Sequence, residues 1–280
     1  MLVVGLTGGI ASGKSTVSSL FSNRHNIPII DADLLAREVI EPETVGYQKV
    51  IDHFGADRIL QDDGYSLNRA SLGEIIFNDE NERKWLNNLI HPLVRKEIVK
   101  RTMKYWFKGH WCVIVDVPLL VEAGMWKFTG EICIVYINEK LQLSRLMSRS
   151  QTINAPLTQT QASSRINSQM ALSQKLSYAT SVLDNSGSLQ DLTGQVDRLV
   201  GKWKKGQGGK SGWWWKVCWL LPPVGLTAGA LVLLGRWWKG NQKERRRARG
   251  EVERNPSKEE NIELRDMRRR TGSSSITDDQ

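Results

Sequence analysis

The chain has 280 residues, of which 25% are charged and 40% hydrophobic, and its formal net charge is +9. Residues 1–200 contain 21 Lys and Arg against 21 Asp and Glu, so the whole positive excess lies in the last 80 residues. This distribution excludes a basic nucleic-acid binder over the first 200 residues, and the tail is physically a separate segment.

Three cysteines without C-x-x-C spacing, Cys112, Cys133 and Cys218, form no disulfide or metal framework and favour a reducing compartment. Met1 leads directly into an apolar run, so no signal peptide is expected.

Residues 2–16 contain the strongest functional pattern. The apolar, β-branched run Leu2–Leu6 predicts a buried strand that ends where a group of glycines begins. Residues Gly8–Ser15 then match G-x-x-x-x-G-K-[ST], and Lys14–Phe21 is compatible with a helix. Glycines let backbone N–H groups face a polyphosphate, Lys14 reaches the β and γ oxygens, and the Ser15 hydroxyl can ligate Mg²⁺. The sequence therefore predicts a nucleoside triphosphate site, against the alternative of a glycine turn that binds nothing.

A second short strand, over Ile27–Ile30, ends in Asp31 and Asp33. The carboxyl ends of parallel strands face one crevice, so Asp33 is a candidate to accept a proton from an attacking hydroxyl or to hold Mg²⁺ through water. The alternative for both aspartates is the N-cap of a helix over Leu34–Ile40. Arg37, one turn beyond Asp33, is predicted either to meet a substrate phosphate or to pair with Asp33.

Residues 43–110 have helical spacing and no strong strand signal, which predicts an inserted, substrate-covering helical domain. Gly55 and Gly64 mark turns within it. Pro92 is expected to end or kink one helix at His91 and to begin the next. From the residues alone, His91 is expected to be structural.

The third and fourth strands are predicted over Cys112–Val117 and Ile132–Ile137. Asp116, at the end of the third, is a second Mg²⁺ candidate. A helix over Leu141–Met147 carries Arg145, and a polar loop is expected to begin at Arg149. With Arg165 on the following helix, these arginines predict a lid over about residues 145–165 that closes on the transferring phosphates, against the alternative of solvated helix charge.

A fifth strand over Ser181–Leu183 leads to a turn that contains Asn185, which is placed to pack against the base. Five β segments with helical connections predict an α/β fold with a five-stranded, doubly wound parallel sheet and helices on both faces.

The tail has its own organisation. Residues 201–212 predict a flexible basic linker, residues 213–239 a membrane anchor and residues 240–280 a charged, disordered segment able to meet anionic lipid headgroups. Val217–Gly235 is uncharged and is flanked by tryptophans, and about 20 apolar residues span a bilayer core. Pro222-Pro223 leaves a re-entrant or in-plane anchor open. A buried helix or an aggregation-prone aromatic loop is the remaining alternative for the anchor, and a solvated tail without a partner is the alternative for residues 240–280.

Six segments occur in order over residues 1–200: GLTGGIASGKST, DADLLAREV, NLIHPLVRKE, VPLLVEAG, RINSQ and VLDNSG. Together they resemble dephospho-CoA kinase, the last enzyme of coenzyme A synthesis, and in particular the eukaryotic, fungal forms with a C-terminal hydrophobic tail. The resemblance implies transfer of the ATP γ-phosphoryl group to the ribose 3′-hydroxyl of dephospho-CoA, the small-molecule partner.

The resemblance also implies roles for single residues. Catalytic roles fall to Lys14, Asp33 as base, Arg145 and Arg149, and acceptor binding to Asp33, Arg37, His91 and Arg95. The ATP site comprises Gly8, Gly9, Ile10, Ala11, Ser12, Gly13, Lys14, Ser15 and Thr16, with Arg165 and, on the adenine side, Asn185.

The chain departs from the family pattern at two places. Ala11 stands where the family usually has a second loop glycine, a change the backbone cradle is expected to tolerate. The segment after Arg149 lacks the usual acidic residue and is lengthened, with Pro156, which affects lid closure.

The sequence thus predicts a membrane-tethered kinase whose catalytic domain faces the cytosol, on the endoplasmic reticulum or the mitochondrial outer membrane. Two other functions stay open here. One is a different P-loop small-molecule or nucleotide kinase. The other is an inactive membrane-tethered nucleotide-binding scaffold, which the altered lid favours. The sequence makes no prediction of oligomeric state.

Overall fold

The computed structural model describes residues 1–152 and 156–206, with five single positions of the tail, Thr227, Leu231, Leu234, Gly235 and Trp238. Its five strands are β1 (Leu2–Gly8), β2 (Ile29–Asp31), β3 (Cys112–Asp116), β4 (Glu131–Tyr136) and β5 (Ser181–Asp184). They form one sheet in the order β2-β3-β1-β4-β5, and β2 with β3, β1 with β4 and β4 with β5 pair in parallel. The predicted five-stranded parallel α/β sheet is confirmed.

The strands are connected by helices, as parallel pairing requires. These are α1 (Lys14–His25), α2 (Ala32–Glu38), α3 (Val45–Phe54), α4 (Ala56–Ile59), α5 (Arg69–Asn78), α6 (Glu80–Phe107), α7 (Glu139–Thr152), α8 (Gln159–Asn167), α9 (Leu172–Leu176) and α10 (Leu189–Gly206). The chain divides into two compact units. The first comprises Met1–Val3 and Asn26–Val117, and the second comprises Val4–His25 and the described residues from Pro118 onward.

The first unit joins β2 and β3 to helices α2–α6. Its helical part has a core of its own, in which Val50 and Ile59 are fully buried and Phe54, Leu72 and Leu86 nearly so. The helices begin at polar caps: Asn68 caps α5 and Asp79 caps α6 through backbone N–H groups of the first turn. The helical character predicted for residues 43–110, with turns at Gly55 and Gly64, is confirmed.

Helix α6 corrects one prediction. It continues from Glu80 to Phe107 with Pro92 inside it, so the helix does not end at His91 and Pro92 does not begin a new one. Proline removes one backbone hydrogen bond from a helix interior. Residues on both sides of it, Leu86 before and Val94 and Ile98 after, are buried. Their packing holds the two halves as one helix despite the missing bond.

In the second unit α10 packs on α1. The rings of Phe21 and Trp203 stack with centroids 5.5 Å apart, and Arg24 Nε donates to Asp197 Oδ1 over 2.8 Å. Since α10 continues to Gly206 and buries Trp203, the linker does not begin at residue 201 as predicted. The buried Trp203 on one face of this last turn keeps it helical despite its lysines and glycines.

The polar loop predicted to begin at Arg149 does not begin there. Arg149 lies inside α7, which continues to Thr152, rather than at the start of a loop. Ser150 is buried, donates to Met147 O over 2.6 Å and accepts from Leu157 N over 3.0 Å, so the last turn of the helix is tied down.

Most of the predicted tail lies outside the described residues: the linker from residue 207, the anchor over 213–239 apart from five positions, and the segment 240–280. Those five positions are helical. Among the helices that the structure describes, none combines the length and the apolarity that a membrane crossing needs.

Candidate active site

The loop between β1 and α1 presents unpaired backbone donors. Ser12 N bonds to Gly9 O over 3.1 Å and Val17 N to Gly13 O over 3.2 Å, which closes the loop and starts the helix. Over residues 1–152 and 156–206, no hydrogen bond takes up the N–H groups of Ala11, Gly13, Ser15 and Thr16. Such donors at a helix N-terminus are suited to a phosphate anion.

Asn185 supports this loop through a hydrogen bond from its side chain. Its Nδ2 donates to Ser12 O over 2.8 Å, and its own N–H bonds to Tyr136 O over 2.8 Å. A Cβ added to Gly13, whose φ is +85°, would lie 2.0 Å from that Nδ2 atom. Glycine is therefore required at position 13 on both steric and backbone grounds. The structure gives Asn185 a bracing position, and its contact with the adenine stays a prediction.

Ala11 adopts the left-handed region at φ 57°, where glycine is the usual residue. Alanine at this position carries a backbone strain of about 1 kcal/mol. The expectation that the cradle tolerates alanine here agrees with this geometry.

Two glutamines grip the tip of the loop. Gln142 on α7 donates from Nε2 to Ile10 O over 2.8 Å, and Gln169, which follows α8, accepts from Ile10 N over 3.1 Å. Sequence reasoning missed both residues. Gln169 ends the RINSQ segment, which was a signal for it, whereas Gln142 lies in an ordinary polar helix and had none.

A buried charged group adjoins the loop. Lys175 on α9 is completely buried, and its Nζ lies 2.8 Å from Glu122 Oε1 and 3.4 Å from Pro118 O. Pro118 O also accepts from Thr7 Oγ1 over 2.8 Å, and Thr7 is the residue before the glycines begin. Glu122 belongs to the VPLLVEAG segment, but its lysine partner lies more than 50 residues away and only the fold identifies it.

The three predicted lid arginines lie on α7 and α8. Arg145 is half-buried and its Nη1 lies 3.9 Å from the position a Cβ would take on Gly13. Arg149, one turn further, and Arg165 on α8 are exposed. Within the ranges described, none of the three forms an ion pair or hydrogen bond through its side chain. Their charges are thus not consumed by protein carboxylates.

The acidic pair after β2 divides its roles. Asp31 is the N-cap of α2: its Oδ1 accepts from Asp33 N over 2.9 Å and from Leu34 N over 3.1 Å. Asp33 is exposed in the first turn and its carboxylate has no partner among the described residues. Arg37, one turn on, is exposed and forms no ion pair with Asp33 in this structure. The capping alternative therefore applies to Asp31 and not to Asp33.

The remaining predicted residues of the first unit lie on α6 and β3. His91 and Arg95 are exposed and one helical turn apart, on the same face of α6. Helix α6 packs on α2, and Arg101 is ion-paired with Glu38. Asp116 ends β3 beside Asp31, its register partner on β2, and is only 4% exposed.

The described residues contain no group of three or more His, Cys, Asp or Glu that could hold a metal ion. A Mg²⁺ site for phosphoryl transfer does not need such a group, since it combines one or two protein oxygens with phosphate and water oxygens. The Ser15 hydroxyl, which is exposed in the first turn of α1, supplies a protein oxygen of that kind. The residues present therefore fit Mg²⁺ carried in with a nucleotide.

Comparison with known proteins agrees with this arrangement. The dephospho-CoA kinase family model matches residues 2–191. A dephospho-CoA kinase of Oceanobacillus iheyensis is 43% identical over 202 residues, covering 72% of this chain and 98% of its own length. One of rice (Oryza sativa) is 43% identical over 191 residues, covering 68% and 80%. The structure of dephospho-CoA kinase from Campylobacter jejuni superposes with a TM-score of 0.57 at 27% identity, covering 73% of this chain and 98% of that one.

The family model covers more than half of the chain, and the loop between β1 and α1 presents the free N–H groups that a phosphate needs. This chain belongs to the dephospho-CoA kinase family.

Proposed function

We propose that this chain transfers the γ-phosphoryl group of ATP to the ribose 3′-hydroxyl of dephospho-CoA and so produces coenzyme A. The observation that carries the proposal is the loop over residues 8–16, which presents unpaired N–H groups, within a chain that matches the dephospho-CoA kinase family from residue 2 to 191. A reaction of this type requires little covalent chemistry from the protein, so positioning and charge stabilisation account for the catalysis.

On the donor side, the loop N–H groups and Lys14 bind the β and γ phosphates. Arg145, near Gly13, and Arg149 one turn beyond it bring positive charge to the transferring group, and Arg165 adds to the nucleotide contacts. Among the described residues the buried Ser12 hydroxyl has no hydrogen-bond partner, which supports this interpretation because a buried polar atom of that kind calls for a partner from a ligand.

For the metal, we propose Ser15 and Asp116 as the residues that would hold Mg²⁺. Mg²⁺ supplies positive charge to the β and γ oxygens when it is bound. The Ser15 hydroxyl lies in the first turn of α1, and the Asp116 carboxylate lies at the end of β3.

On the acceptor side, Asp33 takes the proton of the 3′-hydroxyl, and Arg37, His91 and Arg95 bind the dephospho-CoA phosphates and sugar. The free carboxylate of Asp33 and the unpaired guanidinium of Arg37 support these roles, because neither is occupied by another protein group among the described residues.

The reaction is tested by incubating the full chain with ATP, Mg²⁺ and dephospho-CoA and separating CoA by chromatography. Lys14→Ala is expected to abolish nearly all CoA formation. Lys140→Ala, which removes an exposed lysine of α7, is the matched control and retains it. A screen of nucleosides and nucleotides as acceptors tests the alternative of a different P-loop kinase. Full activity of the Lys14→Ala chain would contradict the assigned site.

The role of Asp33 is tested against its neighbour. Asp31→Ala removes the cap of α2 and should lower the free energy of unfolding by about 1 kcal/mol while turnover is largely kept. Asp33→Ala should lower kcat at least a hundredfold with unchanged stability. Urea unfolding and steady-state kinetics on the same preparations separate the two. Equal kinetic losses in both variants would refute the assignment of the base.

For the tail, we propose that residues 213–239 hold the kinase at a membrane with its catalytic domain in the cytosol, on the endoplasmic reticulum or the mitochondrial outer membrane. The five described positions of this stretch are helical, and Leu231, Leu234 and Trp238 among them are exposed and apolar. The resemblance to fungal forms with a hydrophobic tail, and with it a fungal source, stays a prediction of the sequence.

The anchor is tested by carbonate extraction of membranes that contain the full chain. Retention in the pellet, with release of a chain ending at residue 206, is the expected result. Release of the full chain by carbonate would contradict the anchor.

A further inference from the structure

The tip of the phosphate loop is held at a single residue, Ile10, through both of its backbone polar groups. Gln142 donates to the carbonyl oxygen of Ile10 and Gln169 accepts from its N–H, at 2.8 and 3.1 Å. The two glutamines therefore bind opposite poles of one residue. Gln142 is 3% exposed, and a Cβ on Gly9 would lie 2.7 Å from its Nε2, so the amide packs directly against the loop.

The residues that follow Ile10 are the ones with free donors. The N–H groups of Ala11 and Gly13 have no partner among the described residues, whereas Ile10 N is committed to Gln169. The Ile10 carbonyl and the Ala11 N–H belong to one planar peptide group, so the bond from Gln142 to that carbonyl restricts rotation of the plane that carries the Ala11 N–H. The clamp therefore determines where the first free N–H group points before any nucleotide is present.

The clamp also connects the loop to the arginines. Gln142 and Arg145 are three residues apart on α7 and so lie on one face, and Gln169 lies two residues after the end of α8, the helix that carries Arg165. Gln169 is itself held by a bond from its N–H to Ile166 O over 3.2 Å, and the next residue, Met170, donates to Glu122 Oε1. Both arginine-bearing helices thus reach the loop through a glutamine.

We propose that Gln142 and Gln169 are positioning residues that orient the phosphate loop and keep it in register with helices α7 and α8. The inference rests on the proposed nucleotide site over residues 8–16 and deepens it. Neither glutamine is required to touch the nucleotide. They act through the N–H and carbonyl groups of Ile10.

The opposite polarity of the two contacts gives a matched test. Gln169 only accepts, so Gln169→Glu keeps the contact and Gln169→Met removes it. Gln142 must donate, so Gln142→Glu places a carboxylate against a carbonyl oxygen and fails like Gln142→Met. The same negative charge is thus introduced at both ends of one residue, and a simple electrostatic effect on the nucleotide would appear equally in both glutamates.

The dissociation constant for ADP is measured by calorimetry on the full chain, together with the KM for ATP, kcat and the thermal midpoint. Loss of either contact is expected to raise the ADP dissociation constant about tenfold. We therefore expect this rise in Gln142→Met, Gln142→Glu and Gln169→Met, and less than threefold in Gln169→Glu. A merely structural role would lower the thermal midpoint but leave the affinity of the folded protein unchanged.

Equal ADP affinities of Gln169→Glu and Gln169→Met would overturn the clamp. A wild-type ADP affinity of Gln142→Glu would also overturn it. If Gln142→Glu does not fold, the comparison of Gln142→Met with the two Gln169 variants decides in the same way. Wild-type affinity in every variant would overturn the clamp alone, whereas a wild-type chain that does not bind ADP would overturn the proposed nucleotide site with it.

Discussion

The contact between Gly13 and Asn185 allows a prediction whose size follows from the structure. Gly13→Ala would place a Cβ 2.0 Å from Asn185 Nδ2, at a φ of +85°. The amide must then withdraw from Ser12 O, to which it donates over 2.8 Å. One methyl group thus causes backbone strain and also breaks a buried hydrogen bond.

The two costs can be estimated separately. Left-handed backbone in alanine costs about 1 kcal/mol, and an unpaired buried donor and acceptor cost about 2 kcal/mol. Gly13→Ala should therefore lower the free energy of unfolding by roughly 3 kcal/mol and Asn185→Ala by roughly 2 kcal/mol. In the double variant the obstructing amide is absent, so the total should stay near ~3 kcal/mol rather than reach ~5 kcal/mol, a coupling of about 2 kcal/mol.

The assay is urea unfolding of the full chain, followed by tryptophan fluorescence and circular dichroism. Gly124→Ala is the matched control, because Gly124 also has positive φ, at 66°, but no atom lies within 4 Å of its added Cβ. It should cost at most about 1 kcal/mol. Additive losses in the double variant, within about 0.5 kcal/mol, would refute the reasoning.

Three further outcomes are expected. Lys175→Met should lower the free energy of unfolding by about 3 kcal/mol in the same urea assay, because it leaves Glu122 without its buried cation; a loss below about 1 kcal/mol would contradict this. Burial raises the pKa of the Cys112 thiol to about 12, and it also raises the pKa of the Cys133 thiol, so peptide mass spectrometry should find both unlabelled by iodoacetamide at pH 8 in the folded chain and labelled in urea; labelling of the folded chain would count against their burial. Ala11→Gly should change the free energy of unfolding in the urea assay by less than about 0.5 kcal/mol, since relief of backbone strain and the added entropy of the unfolded chain offset each other. A large gain would mean that Ala11 is more strained than its φ suggests.

Local patterns sufficed where the physics is local. The strand before Gly8 and the helix after Lys14 follow from a β-branched run, a glycine loop and a helix start within sixteen residues. The cap after β2 was open because Asp31 and Asp33 are both suitable residues. Only coordinates distinguish which carboxylate accepts the α2 N–H groups and which stays free.

The failures have non-local causes. Pro92 is a strong helix breaker by itself, yet burial of residues on both sides of it keeps α6 continuous. Residues 201–206 have the composition of a linker, yet the packing of Trp203 on Phe21 extends α10 through them. In both places tertiary packing outweighs a local preference of a few kcal/mol or less.

The sequence alone determined the phosphate loop, the order of strands and helices, and the family to which the chain belongs, because each depends on residues close together or on segments in fixed order. The tertiary structure decided which distant side chains serve that loop: Gln142 and Gln169 on Ile10, Asn185 under Ser12, and Lys175 beside Glu122. A single polar residue carries no periodicity or motif that marks its partner. A hydrogen bond between residues more than a hundred positions apart therefore becomes visible only when the fold brings them together.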